Sequence, residues 1–278
     1  MTAVPARPVA TLGGVLMYAG LVLGLGLALG PPVHAGAGTG PICTDRPTRA
    51  NGVCTVPAGR VQLEADVLAY TRDAQAGVIT TSTVVTAAVV KYGIDARSDL
   101  ELGATAWLDN ERTQGGRTAR SDGVGDVLLR YKRRVSADDA VLGVSLIPYL
   151  KLPTAPASVG NERLEGGLIM PLGAALPGGV ALTLGPEIGI LAESDGSGTR
   201  VNITNLVNLS RSFGRLTLYG ELWSANDIAA ERDGDQSAAD VAASWLVSND
   251  FQLDAGANFG LDADTPDYQV YVGVSGRF

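Results

Sequence analysis

Few residues in this chain could carry chemistry on their own. The only histidine is His34, so a serine activated by an imidazole base, or a histidine-bearing metal site, has one place to be built. That place reads as an export leader: Arg7, an apolar run from Leu12 to Leu29, Pro31, Pro32, and a small-residue site at Val33-His34-Ala35. Cleavage after Ala35 leaves a mature chain without histidine. Ser275, in Gly273-Val274-Ser275-Gly276, has the outline of a nucleophile elbow, but it sits in a strand-like stretch with no base beside it. Glu64 and Asp66 share one face of a segment, and paired carboxyls can do acid–base work, yet polar groups facing water explain them without catalysis. Cys43 and Cys54 follow the leader, in a compartment where disulfides persist. A two-thiolate metal site there lacks a nearby histidine and the C-x-x-C spacing of zinc clusters. The chain is read as no enzyme, with no catalytic residue, no metal and no cofactor.

The elements that must position these residues are set by alternation of period two, which runs from residue 60 to the C-terminus. Val61, Leu63, Ala65, Val67 and Ala69 fall on one face, and Gln62, Glu64 and Asp66 on the other. Leu100, Leu102, Ala104 and Ala106 oppose Glu101, Gly103 and Thr105. Val180 to Ile190 and Phe251 to Phe259 repeat the pattern, whereas a helix would scatter it around its circumference. About twelve such segments are legible, near 60–70, 78–92, 99–108, 124–134, 140–151, 164–172, 179–191, 200–210, 215–224, 237–247, 251–261 and 267–278. Each approaches the ~9–11 residues that a tilted strand needs to cross hydrocarbon, and bacterial single-chain barrels use even numbers of strands. Pro186 and Pro171 each remove a ladder donor, which predicts a distortion at both places.

Composition supports many short strands, because 36 glycines and 46% hydrophobic residues make a chain apolar enough to bury surface and often interrupted by turn-formers. The net charge is −8, and −9 without the leader and its Arg7, which disfavours binding to nucleic acid. No run after the leader approaches the ~18 apolar residues of a membrane helix, so any insertion in a bilayer must use strands. In lipid an all-strand chain pairs its backbone only by closing on itself. The non-apolar face is lysine-poor and rich in Gly, Ser, Thr and Asn, as a water-containing lumen would be. The fold expected is therefore an all-β transmembrane antiparallel up-and-down barrel over residues 58–278, after a leader (1–35) and a disulfide-looped periplasmic segment (36–57). Longer links, Asp109 to Gly123, Pro153 to Arg163, Ala192 to Gly198 and Ala225 to Gln236, are expected on the side opposite the termini, with tight turns on the terminus side.

Alternation sends Glu64, Asp66, Glu101, Asp126, Glu187, Glu221, Asp240 and Asp254 into the lumen, opposed by Arg130, Lys132 and Arg277. Either the excess of acids favours cations, or these groups pair across a filled interior. Trp107, Trp223 and Tyr70 fall on the polar side near the far strand ends, where aromatic surface could take an apolar solute; a bulge would turn any of them outward. Tyr131 and Trp245 are read as facing lipid. The chain ends on Phe278 in the apolar phase of its last strand, the pattern by which outer-membrane barrels are recognised for assembly.

Several of these stretches resemble the outer-membrane barrel family named for the MetA pathway of phenol degradation. The resemblance is carried by Tyr92-Gly93-Ile94 leading to Leu100-Glu101-Leu102-Gly103, by Gly123-Val124-Gly125-Asp126-Val127, by Lys151-Leu152-Pro153-Thr154, and by the terminal Gly276-Arg277-Phe278. It implies location in the cell outer membrane and passage of small molecules, and it implies no catalytic residue. The partners expected are outer-membrane lipid, the barrel-assembly machinery and small solutes, with no nucleic acid. A structural or adhesive barrel without transport is the competing expectation.

Overall fold

The computed structural model describes residues 40–193, 198–228 and 235–278. The expected leader lies outside them, as do parts of two of the links expected to be long.

Twelve antiparallel staves close into a barrel. They are β1 (Val61–Gln75), β2 (Val78–Asp95), β3 (Ser98–Gln114), β4 (Arg117–Gly123 and Val127–Arg134), β5 (Leu142–Leu152), β6 (Glu165–Ile169 and Leu172–Leu176), β7 (Val180–Leu184 and Glu187–Ala192), β8 (Thr199–Phe213), β9 (Leu216–Ile228), β10 (Gln236–Ser248), β11 (Phe251–Gly260) and β12 (Tyr268–Arg277). Closure comes from β12 pairing back onto β1, from Gln62 opposite Arg277 to Arg72 opposite Tyr268. Around the closed wall each stave pairs with a neighbour on both sides, as a strand-only chain needs in lipid, while Arg117–Gly123 pairs with β3 alone. Two of the three interrupted staves break at the prolines singled out in the sequence. The ladder resumes around them, with Met170 N–H donating to the Pro186 carbonyl at 2.9 Å and Ser145 N–H to the Pro171 carbonyl at 3.0 Å.

The barrel is inside-out relative to a soluble protein. Leu100, Leu102, Tyr131, Leu150, Ile190, Leu222, Val241 and Trp245 are exposed on its outer wall, while Glu64, Lys91, Glu101, Lys132, Glu221 and Asp240 are buried within. Burying so many ionisable groups is costly unless they are paired, and the pairs that most of them make define the site below.

Two expectations need correction. Asp109 to Gly123 is not a loop: β3 and β4 continue as a hairpin from Leu108 opposite Gly123 to Gln114 opposite Arg117, turned by Gly115 and Gly116 at φ +57° and +77°. The stretch is polar on both faces, so it carried no alternation, and hydrogen bonding rather than a lipid-facing side holds it. The second correction concerns Trp107, Tyr70 and Ala69. Val67 is an extra residue in β1, shifting the register with β12 between Asp66 and Leu68, and its neighbour across β2, Thr86, takes a left-handed φ of +55°. Past that bulge the phase inverts. Leu68, Val85 and Trp107 occupy one rung and are all exposed, whereas the next rung carries buried Ala69 and the lumen-lining Leu108. Trp107 and Tyr70 therefore face outward, and Ala69, assigned to the outer face by simple alternation, faces in.

Candidate functional site: the plugged lumen

The described part of the segment expected ahead of the barrel (36–57), continuing to Arg60, packs into the lumen at the end that carries both termini. Its Cys43–Cys54 disulfide closes a tight loop, and Gly52 N–H caps the Asp45 carboxylate at 2.7 Å within that loop. The loop then presents its polar groups outward to the wall in nearly every direction.

Asp45 is the centre of one contact. It receives Lys91 Nζ at 2.5 Å from β2 and Lys132 Nζ at 2.7 Å from β4. Lys91 also reaches Glu64 at 2.7 Å, and Arg130 pairs with Glu101 at 2.7 Å, so the cluster is a buried network of alternating sign. Burial alone would raise the Asp45 carboxyl, but Lys132, Lys91 and Arg130 outweigh it and hold the group far below the usual carboxylate range. Arg46 forms the second contact. Its Nε and Nη2 fork onto Asp254 at 3.1 and 2.6 Å, Nη2 also meets Asp66 at 2.8 Å, and the guanidinium lies 5.8 Å from the Tyr271 ring centre. Here too burial opposes the charge, and Asp254 and Asp66 more than restore it, raising the guanidinium above its ordinary value.

On the opposite wall, Glu221 of β9 accepts the Arg49 and Ala50 backbone N–H groups at 3.1 and 3.0 Å, while the Arg49 guanidinium stacks 4.5 Å above Trp223. Val56 N–H donates to Asp99 at 2.8 Å, the Ser145 hydroxyl to the Val53 carbonyl at 2.6 Å, and Asn208 Nδ2 to the Thr48 hydroxyl at 2.9 Å. Arg277 Nη2 reaches the Gly40 carbonyl at 2.8 Å. Glycines make room for this. The Pro57 and Val56 carbonyls lie where a Cβ on Gly93 would stand, and Gly143 and Gly173 leave space for the Val53 methyls.

Above the plug a cavity of about 680 Å³ remains. Val89, Leu108 and Leu128 form an apolar side, and Trp223, Asn258 and Tyr271 a hydrogen-bonding side. Asp126 helps to shape its upper rim. It accepts Thr154 and Ala155 N–H at 2.9 and 2.8 Å and pairs with Lys151 at 3.1 Å, tying the Pro153–Leu164 link inward, so that Val159 also lines the chamber.

Of the residues picked from sequence, Glu64, Asp66, Glu101, Arg130, Lys132, Glu221, Trp223 and Asp254 converge on the plug, either directly or through a shared partner. Asp126 sits higher, and Glu187 accepts the Tyr149 hydroxyl at 2.7 Å, away from the plug. Ser275 is buried within β12, opposite Glu64 and Gln252. Phe278 is exposed, and its carbonyl accepts Arg60 Nε at 2.5 Å. Sequence reading missed Asp45, Arg46, Arg49, Lys91, Asp99 and Asn208. The available signal was Lys91, the one charged residue between Val78 and Tyr92 of its strand: a buried ammonium there demands a carboxylate.

Residues 44–278 match the family model described as "Putative MetA-pathway of phenol degradation", a span that takes in most of the plug and the whole barrel. The fold is similar to that of an outer membrane channel from Pseudomonas putida F1, at 15% identity and a TM-score of 0.62 over 81% of this chain and 98% of that one. It is also similar to the β domain of the Bordetella autotransporter BrkA, at 12% identity and a TM-score of 0.54 over 80% of this chain and 100% of that one. At these identities the likeness is one of fold. No curated protein sequence matches the chain.

Proposed function

We propose that this chain, which belongs to the MetA-pathway phenol-degradation family, is an outer-membrane channel for small solutes whose periplasmic end is closed at rest by its own residues 40–60. The observation that carries the reading is the chamber above the plug. A barrel with an apolar exterior encloses a cavity of about 680 Å³, apolar on one side and polar on the other, that ends on a segment held mainly by side-chain contacts outside the strand ladder. A closure built from separable contacts suits gating better than permanent filling, because each contact exchanges a protein partner for water when the segment leaves.

The test is planar-bilayer conductance of the refolded mature chain, using material whose gel mobility shifts on heating, beside a variant lacking residues 41–56. Rare openings in the first and frequent discrete steps in the second support the channel. Silence from a folded, plug-deleted barrel would refute it. One feature favours the adhesive alternative, namely the polar hairpin of β3 and β4 that projects beyond the apolar belt. That reading gains ground if the deleted barrel is silent and removal of the hairpin abolishes adhesion of cells carrying the protein.

A further inference from the structure

We infer that the wall formed by β1 and by β9 to β12 is a binding site for a small organic cation, guanidinium or ammonium, and that the plug's Arg46 and Arg49 occupy it in the resting barrel; the inference rests on the channel reading. The plug places two guanidinium groups on two seats of like construction. One is the face of Tyr271 with Asp254 and Asp66, where Arg46 binds in a forked, charge-assisted geometry. The other is the face of Trp223 beside Glu221, where Arg49 stacks at 4.5 Å. An aromatic face flanked by carboxylates attracts a weakly hydrated, planar or alkylated cation in preference to an anion or a neutral solute.

A second observation, independent of the stacking, is that the Trp223 seat holds too little positive charge. Asp240 stands opposite Glu221 in the β9–β10 register and is 2% exposed; its oxygens find no close hydrogen bond, and its neighbours are the Glu221 carboxyl, the Trp223 indole and, at longer range, the charge of Arg49. Among the described residues no lysine or arginine forms an ion pair with Asp240 or Glu221, and Arg49 gives Glu221 its backbone N–H. The unused carboxyl is capacity for a ligand cation that the plug leaves unfilled. A bare metal ion fits less well, because the described residues offer no group of three carboxylate, thiolate or imidazole ligands.

The test uses the full mature chain with Arg46→Ala and Arg49→Ala together, which empties both seats whether or not the segment leaves. The probe is agmatine, which carries a guanidinium and an ammonium. Titration calorimetry at low salt should show binding to the double variant at least about tenfold tighter than to wild type, and a further Asp254→Asn change should weaken it by about tenfold. The neutral 1-pentanol should bind neither protein. Wild type binding as tightly as the variant, or a folded variant that conducts in bilayers without binding agmatine, overturns the site; the second result leaves the channel standing. Binding by a folded barrel that never conducts keeps the site and overturns the channel, and absence of both overturns both.

Discussion

Asp45→Asn removes one charge from the middle of the plug's tightest contact, and the structure sets the size of the effect. Lys91 keeps Glu64 at 2.7 Å after the change, so its loss is partial. Lys132 is 2% exposed, and Asp45 is its one ion-pair partner among the described residues, so it becomes a buried ammonium left with only the longer-range charge of Asp99, opposite it in the β3–β4 register. Breaking one side of a buried pair costs about 3–5 kcal/mol; the retained Glu64 contact argues for the lower end. About 3 kcal/mol lowers the docked-to-released ratio by roughly two orders of magnitude. The ladder of β1 to β12 does not depend on Asp45, so heat-dependent gel mobility should be unchanged while open probability in planar bilayers rises steeply. Because the carboxyl is held below its ordinary value in the docked state, its contribution is complete above the released-state pKa of roughly 4 and is lost as pH falls below that. Wild type should therefore stay closed from pH 7 to about 5, and Asp45→Asn should keep its raised open probability across the same range. Adding Lys132→Met should restore much of the closure, since an apolar replacement removes the stranded charge. Open probability of Asp45→Asn within about threefold of wild type would refute the latch.

Three shorter predictions follow from the same contacts. Gly93→Ala puts a Cβ onto the Pro57 and Val56 carbonyls, backbone atoms that no rotamer change can move, so the plug should lose about 1–3 kcal/mol of docking; trypsin cleavage after Arg49, which is followed by Ala50, reads this directly in the folded barrel. Changing Cys43 and Cys54 together to Ser frees a loop of sequence separation 11 and should weaken the docked segment by about 2–3 kcal/mol, so that unchanged trypsin resistance would count against a role for the bond in closure. Deleting Phe278 leaves the Gln62–Arg277 pairing in place, so refolding in detergent should persist while the amount assembled in the outer membrane of cells falls; equal amounts would remove Phe278 as an assembly signal.

The barrel was legible because lipid on one side and polar groups on the other impose period two on every stave, and the same rule fails where that contrast ends. It fails in the β3–β4 hairpin, polar on both faces beyond the apolar belt. It fails again past Val67, where one extra residue reverses the phase of three strands and carries Tyr70 and Trp107 to the outside. The plug was not legible for a different reason. Its contacts join residues far apart in the chain, as Arg46 and Asp254 are, 208 positions from each other, and pairing of that kind leaves no local pattern. What the sequence did carry was a wall with more acids than bases, without the segment that balances it.

That balance yields a prediction about selectivity. With the plug docked, the chamber is lined by Asp45, Glu64, Asp66 and Asp126 and by Arg46, Arg49, Arg130 and Lys151, four acids against four bases. Departure of the segment takes away Asp45, Arg46 and Arg49, and uncovers Asp99, Glu101, Glu221, Asp240 and Asp254 against Lys91 and Lys132. Of the residues named, the open lumen then carries eight acids and four bases. Charge rings of one sign select the opposite ion, so cation preference belongs to the released state alone. The plug-deleted barrel in a potassium chloride gradient should give a reversal potential on the potassium side, with the preference shrinking as salt rises and screens the wall. Residual leak through the intact protein should show little selectivity. Anion preference in the deleted barrel would mean that the acids around the plug stay protonated or paired with one another once the segment has gone, and that the excess read along the strands serves docking only.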